Sequence, residues 1–357
     1  MKEILFIVNG LGLGNSTRCE AIIQGVVSRG ALVDVLTSNN GVYFFKNRNY
    51  VSNVFEFHGF YYGRKGDALS VWRTILAIPH FALIFIKNVK LLRDLLRNKK
   101  YSAIVIDSDY TLFWIKKWVK IPVFALNNSD IIVAACSGVP TLPREVRMQY
   151  LVEVCDQWFH SKVPDLVLSP SIRPYPSDEK GRFKHFSPFI RSGLTVRPGG
   201  NQLTNMLVML SGSQFGTSAK FLKQLNPLEG VTIDVVGQDG ESNQWITFHG
   251  KLQDNKNLIN RADMMVVNGG FSAVSEAVVL RKPVVVIPVP NHAEQYINGK
   301  IVEDLGLGLS ASMENVVSRI NEMVARFPDF VKAHQDFNIQ TSGAEKASAI
   351  IIEKIWG

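Results

Sequence analysis

Short runs of apolar, β-branched residues recur along the chain, each bounded by small or polar residues. The first, EILFIV at 3–8, leads into a glycine-rich turn, a helical pattern over 17–29 and a second β-rich run at 32–37. Runs that are apolar throughout belong to strands buried on both faces, so this βαβ opening predicts a parallel sheet covered by helices. The runs AIVI at 103–106, PVFAL at 122–126 and DLVLS at 165–169 extend that sheet. Over 184–205 the pattern dissolves into Pro, Gly, Ser and Arg, which predicts an interdomain linker. Alternation restarts with NMLVMLSGS, a helix over 218–224, TIDVVG, ITFHG, DMMVVN, a helix over 272–280 and PVVVIPV. A last helix over 345–355 fits either domain. The expected fold class is α/β, with two doubly wound Rossmann-like domains at 1–190 and 200–357.

Length agrees, since 357 residues exceed one comfortable core. A net charge of +8 favours anionic partners, but no groove-reading motif or aromatic interleaving points to nucleic acid. Three scattered cysteines (Cys19, Cys136, Cys155) suggest neither disulfides nor zinc, which makes a reducing cytoplasm the expected location. The N-terminus enters a strand without the parts of a signal peptide. The longest apolar stretch, 71–86, is interrupted by Arg73, Pro79 and His80 and falls short of the roughly 20 residues that span a bilayer. Beyond it Lys87, Lys90, Arg93 and Arg97 recur at helical spacing, with Lys99 and Lys100 following. Segment 71–100 therefore reads either as a basic amphipathic helix on an anionic membrane surface or as a buried helix with a solvated edge.

Three loops carry candidate chemistry. GLGLGNSTR at 10–18 lies at a strand-to-helix turn, where Gly12 and Gly14 let the backbone approach a ligand. It does not complete a dinucleotide fingerprint, because Asn15 holds the third glycine's place and no acidic residue closes the next strand. LSGSQFG at 210–216 offers Ser211, Gly212 and Ser213 as a phosphate cradle, or is a plain tight turn. The third is VVNGGFSAVSEAVVLRKPVVVIPVPNHAEQYINGKIVEDLGLG at 266–308. Asn268, Gly269, Gly270 and Phe271 stand at a strand end and Ser272 begins a helix whose N-terminus suits a diphosphate. Glu276, in that helix, can accept hydrogen bonds from a ribose diol. His292, Glu294 and Gln295 follow the next strand, at an edge where sugar hydroxyls could be held.

This segment resembles the donor-site signature of the GT-B nucleotide-sugar transferases, the group of the UDP-glycosyltransferases and the MurG-type N-acetylglucosaminyl transferases. The resemblance implies two Rossmann-like domains facing each other across a cleft. It implies that Gly269–Ser272 meets the diphosphate, Glu276 the ribose, and Glu294 with Gln295 the sugar. HGKLQD at 249–254 resembles the loop that reads the base, which puts Lys251 and Leu252 beside it. The implied activity is inverting, metal-independent transfer of a hexose or N-acetylhexosamine from a nucleotide sugar, UDP-linked by analogy. The acceptor is unknown; a polyprenyl or other lipid-linked one would suit peripheral attachment to the cytoplasmic membrane face. The nucleotide sugar is a substrate, and no cofactor is expected.

The chain departs from the family at Asn15, where many members carry a histidine base; an amide cannot take a proton near neutral pH. Asp107 and Asp109, after AIVI, are the first replacements, followed by Asp130 on the acceptor side. Their DSD pattern also resembles the metal-holding pair of GT-A enzymes, but the glycine-rich diphosphate site lies in the other domain, so no metal is expected. The alternative functions are a GT-B-fold nucleotide-sugar epimerase or hydrolase, and a catalytically impaired nucleotide-sugar-binding protein. The remaining histidines, among them His160, His185 and His249, read as turn or surface residues.

Overall fold

The computed structural model describes the whole chain except residues 60–62, 66–67, 70, 138–141, 176–180, 197–199, 201, 211–218 and 226–227. The first sheet uses β1 (Glu3–Val8), β2 (Leu32–Thr37), β3 (Asn53–Glu56), β6 (Ala103–Asp107), β7 (Val123–Leu126), β8 (Leu166–Pro170) and β9 (Phe183–Phe186), while β4 (Arg64–Lys65) and β5 (Ala68–Leu69) form a separate hairpin. Its strand order is β3-β2-β1-β6-β7-β8-β9, parallel throughout. Ile4, Leu5, Phe6 and Ile7 are fully buried, which is the burial that an unalternating apolar run predicts. Helices α1 (Leu13–Val27), α2 (Asn39–Phe45), α3 (Val71–Leu76), α4 (Ile78–Asn98), α5 (Ser129–Ser137) and α6 (Arg144–Lys162) belong to this half.

The second sheet is built from β10 (Asn205–Met209), β11 (Thr232–Val236), β12 (Ile246–Phe248), β13 (Met264–Val267), β14 (Val284–Val286) and β15 (Gly308–Ser310), in the parallel order β12-β11-β10-β13-β14-β15. Its helices are α7 (Lys256–Arg261), α8 (Phe271–Val279), α9 (Ala293–Asp304), α10 (Val316–Ala325) and α11 (Phe327–Asp336), followed by α12 (Gly343–Trp356). Both sheets start in mid-sheet and reverse direction once, between β1 and β6 and between β10 and β13. Ligands of open parallel sheets bind outside the carboxyl ends of the strands at such reversals.

Two sequence expectations change. FKHF at 183–186, placed in the linker, is the edge strand β9; all four residues are half-buried, so neither an apolar run nor an alternation marks it. The helix over 218–224 is a short 3₁₀ turn at Ala219–Lys223. The last helix is settled by packing. In α12, Ala347 and Ile351 join the core of the first domain with Ile22 and Val26 of α1. A Cβ on Gly25 would meet Ser348 Oγ at 2.4 Å, so the missing side chain is what allows this approach. The chain thus crosses between domains twice. Among the described residues, no helix is long and apolar enough to cross a membrane.

Candidate functional site

A cavity of about 330 Å³ lies between the carboxyl edges of the two sheets. Its volume falls in the range of small-molecule sites, and its walls come from both domains. From the first, Asn9, Gly12, Gly14, Asn15 and Arg18 follow β1, Ser108 and Tyr110 follow β6, and Asn127 to Ser129 follow β7. From the second come Lys251 and Leu252, Asn268, Gly270, Phe271, Ser272 and Glu276, and His292, Glu294 and Gln295. The donor-side residues described by the structure therefore converge, except Gly269. Ser211, Gly212 and Ser213 lie outside the described residues.

The second-domain wall is tied together by local hydrogen bonds. Asn268 Nδ2 donates to the Ile287 carbonyl at 3.1 Å and Asn298 Nδ2 to the Gly269 carbonyl at 2.9 Å, tying the loop after β13 to its neighbours. Gly269 does not line the cavity: a Cβ there would meet the Gln295 carbonyl oxygen at 2.5 Å, so its smallness serves packing. Of the two glycines expected at a diphosphate, only Gly270 is part of the cavity wall. Gly270 does line it, with open space where a Cβ would stand, and it precedes the first turn of α8. That turn contains no acidic residue. Its Phe271 N–H instead serves the carboxylate of Glu294, which arrives from α9. Burial raises the Glu294 pKa, with Arg18 and the Phe271 N–H opposing the rise. Gln295 Oε1 accepts the Val289 N–H at 2.9 Å, which fixes the loop before α9.

Glu276 is buried and paired: Arg191 Nε lies 2.7 Å from one carboxylate oxygen and its second nitrogen 3.1 Å from the other. Arg191 comes from the segment joining the domains and is itself only 3% exposed. The same guanidinium reaches Asn255 at 3.2 Å and lies 4.0 Å from Glu20 of α1. Nothing in the polar linker sequence marked this arginine. Further contacts join the two walls: Ser272 Oγ donates to the Gly14 carbonyl at 2.7 Å, and Lys251 Nζ to Asn40 Oδ1 at 2.6 Å while lying over the Tyr43 ring. Among the described residues, His292 has a buried Nδ1 without a hydrogen-bond partner, and burial pushes its pKa down to about 4, leaving a neutral imidazole at neutral pH.

The three acids offered as bases are turned elsewhere. Asp107 is fully buried in a two-pronged ion pair with Arg18, at 2.9 and 2.5 Å, and also accepts from Cys19 Sγ. The reason is the backbone: Ser108 adopts φ +50°, in the left-handed region, and after this turn it is Ser108 and Tyr110 that line the cavity. Asp109 caps the next turn, accepting the Thr111 N–H at 2.8 Å, and burial lifts its pKa to about 6. Asp130 accepts from Ser169 Oγ at 2.7 Å and lies 2.6 Å from His185 Nε2. None of the three lines the cavity. Asn15 does, with its amide 3.5 Å from the Asn9 carbonyl. His160, His185 and His249 are not free surface residues either, each lying against an aspartate.

The acids that do face the cavity from the first domain were not singled out in the sequence. Gln149, Val152, Glu153 and Asp156 line it from one face of α6, at helical spacing i, i+3, i+4 and i+7. Gln149 Oε1 accepts the Ala293 N–H at 2.7 Å, so this face is seated on the start of α9. Asp156 is engaged at both oxygens, by Tyr110 Oη at 2.6 Å and Asn127 Nδ2 at 2.7 Å, while His160 Nδ1, 2.9 Å from the Asp156 backbone carbonyl, lies 3.2 Å from the carboxylate. Burial works against its charge, but these partners hold its pKa below the ordinary value. Among the described residues, Glu153 accepts only from Gln149 Nε2, at 3.2 Å. Burial, then repulsion from Glu294 and Asp156, pushes its pKa up to about 8.

Comparison with known proteins agrees with this geometry. A model of glycosyl transferase family 1 matches residues 2–328. An uncharacterized glycosyltransferase of Methanopyrus kandleri is 35% identical over 95 residues, 26% of this chain and 27% of the relative, so that alignment spans about a quarter of its length. Among solved structures, Acinetobacter baumannii MurG superposes with a TM-score of 0.61 at 16% identity, covering 99% of this chain and 100% of that one. Phytolacca americana UGT2, complexed with UDP-2-fluoroglucose and pterostilbene, gives 0.67 at 12% identity with both chains fully covered. The SsfS6 glycosyltransferase of Streptomyces sp. SF2575, complexed with thymidine diphosphate, gives 0.62 at 14% identity, covering 99% and 100%. At these identities the superpositions speak to the fold, which is GT-B. With two facing Rossmann-like domains and a family match over most of its length, the chain belongs to glycosyl transferase family 1.

Proposed function

We propose that this protein transfers a hexose or N-acetylhexosamine from a nucleoside-diphosphate sugar, UDP-linked, to an acceptor hydroxyl, with inversion and without a metal. The observation that carries the reading is the donor wall, where one cavity face combines a helix N-terminus behind Gly270, the buried Glu276 and the Glu294–Gln295 pair. Backbone N–H groups and the helix dipole at 270–272 are suited to charge developing on a departing diphosphate. Glu276, oriented by Arg191, is placed for a ribose diol; Lys251 and Leu252 flank the base.

The acceptor in this proposal is lipid-linked. Leu83, Ile86, Phe113, Trp114, Trp118, Leu151 and Trp158 are exposed on α4, the 3₁₀ turns at Thr111–Trp114 and Lys116–Trp118, and α6. Phe113 stands 5.7 Å from Trp114 and 6.3 Å from Trp158, ring centre to ring centre, so these three side chains form one aromatic cluster. Lys87 and Lys90 are exposed on α4, and Lys117 is exposed with its Nζ 4.5 Å from the Trp118 ring centre. Val152, 39% exposed, also lines the cavity and links this face to the site. Aromatic and basic side chains in that combination suit an anionic membrane surface at the cytoplasmic face.

Calorimetry with UDP, GDP, TDP and their common sugar conjugates tests the donor reading. UDP compounds should bind, and Glu276→Ala should abolish that binding; binding of none would refute the proposal. Cosedimentation with phosphatidylglycerol vesicles tests the membrane part, where loss in the Trp114→Ser, Trp118→Ser double variant is expected and equal binding to phosphatidylcholine would exclude the charge contribution.

A further inference from the structure

We infer that Glu153 of α6 is the general base that replaces the histidine this chain lacks at Asn15. The inference rests on the donor reading above. It starts from the carboxylates that face the cavity among the described residues: Glu153, Asp156, Glu276 and Glu294. Arg191 occupies both oxygens of Glu276. Tyr110 and Asn127 each donate to one oxygen of Asp156, and His160 lies against the same carboxylate. Glu294 serves the Phe271 N–H on the donor wall. Glu153 keeps hydrogen-bonding capacity to spare and projects from the opposite domain.

Position supports the role. Glu294 belongs to the pair proposed to hold the sugar, and Glu153 is close enough to feel its charge across the domain boundary. An acceptor entering along α6, beside Val152, meets Glu153 before it reaches the sugar. The step balances without a further reagent. The acceptor hydroxyl gives its proton to a Glu153 carboxylate oxygen as its own oxygen bonds to the anomeric carbon. The bond from that carbon to the diphosphate breaks, the electron pair leaves on the nucleotide, and Glu153 then loses the proton to solvent.

Burial comes first in setting the titration of Glu153, followed by Glu294 on α9 and Asp156 on the same helix, with the Gln149 amide opposing them; Arg18 acts on Glu294, and the Cys136 thiol on α5 feels the Glu153 charge. Burial and then both acidic neighbours raise the Glu153 pKa, which puts it in the range where a base works near neutral pH.

The test uses the full chain, UDP-glucose and UDP-N-acetylglucosamine as donors, and water as acceptor. Calorimetry is followed by single-turnover release of UDP across pH. Glu153→Gln should bind the donor within about twofold of wild type, lose roughly 100- to 10,000-fold in release rate, and lose the rise of rate toward alkaline pH. Azide or formate added to Glu153→Ala should restore part of the rate, which a merely structural role would not allow. Donor binding with an unchanged rate and pH profile in Glu153→Gln would overturn the assignment of Glu153 alone. Absence of donor binding by the wild type would overturn the donor reading and this inference with it.

Discussion

The two walls of the cleft are built on the same plan, yet they use their polar residues in opposite ways. On the second-domain wall, the loop after β13 and the start of α8 present backbone to the cavity, and the side chains named from sequence arrive there together. On the first-domain wall, the acids at the matching strand end are absorbed into the domain: Asp107 by Arg18, Asp109 by its own turn, and Asp130 by Ser169 and His185. The cavity is served instead by a helix face further along the chain, at Gln149 to Asp156. A site made from a helix N-terminus is specified locally, because the N–H groups point where the chain points. A site made from a carboxylate depends on which cation reaches it, and Arg18 meets Asp107 across 89 positions of sequence.

The largest test of this contrast is Arg18→Met. It should cost about 3–5 kcal/mol in urea unfolding by leaving the Asp107 charge unpaired in the core. A loss of activity without loss of stability would instead return Asp107 to the site. Next, Glu276→Gln should weaken nucleotide binding by roughly 10- to 100-fold, since hydrogen bonds to charged groups are worth about 1.5–3 kcal/mol; unaltered affinity in calorimetry would separate Glu276 from the donor. The paired glycines divide the same way. Gly269→Ala should lose about 1–3 kcal/mol of stability by overpacking against Gln295. Gly270→Ala should unfold within about 0.5 kcal/mol of wild type while binding donor roughly tenfold less tightly.

The smallest expected effect is a pH dependence of stability. Glu153 titrates near 8 when folded and near about 4.3 when unfolded, so the folded state holds the extra proton between those values. Stability therefore falls as pH rises through that window. Glu153→Gln should remove this slope and raise the melting temperature at about pH 8.5 by roughly 2–4 °C. That corresponds to about 1 kcal/mol after allowance for the partial exposure of the group. Parallel melting curves for wild type and variant across pH would show that the proton is held elsewhere.

Much of the fold was legible because buried parallel strands must be apolar on both faces. The runs at 3–8, 103–106 and 122–126 have no other stable use in a chain with so regular an alternation. The donor signature was legible because glycines, a helix start and an acid one turn later are fixed by chain geometry. Edge strand β9 was not, since half-burial leaves it without pattern, and the α6 face was not, since its four cavity residues are chemically mixed. Arg191 was hidden for a related reason: in a segment rich in Pro, Gly and Arg, nothing local distinguishes a buried guanidinium from a solvated one.

The sequence by itself therefore determined what depends on local period and backbone freedom: two α/β halves, and glycines ahead of a helix N-terminus. Tertiary structure alone decided the pairings, placing α12 against α1, Arg191 on Glu276 and Arg18 on Asp107, and leaving Glu153 facing Glu294 across the cleft. The physical reason is that a charge in a low-dielectric interior takes its meaning from its partner, and that partner is chosen by the fold rather than by neighbours in sequence.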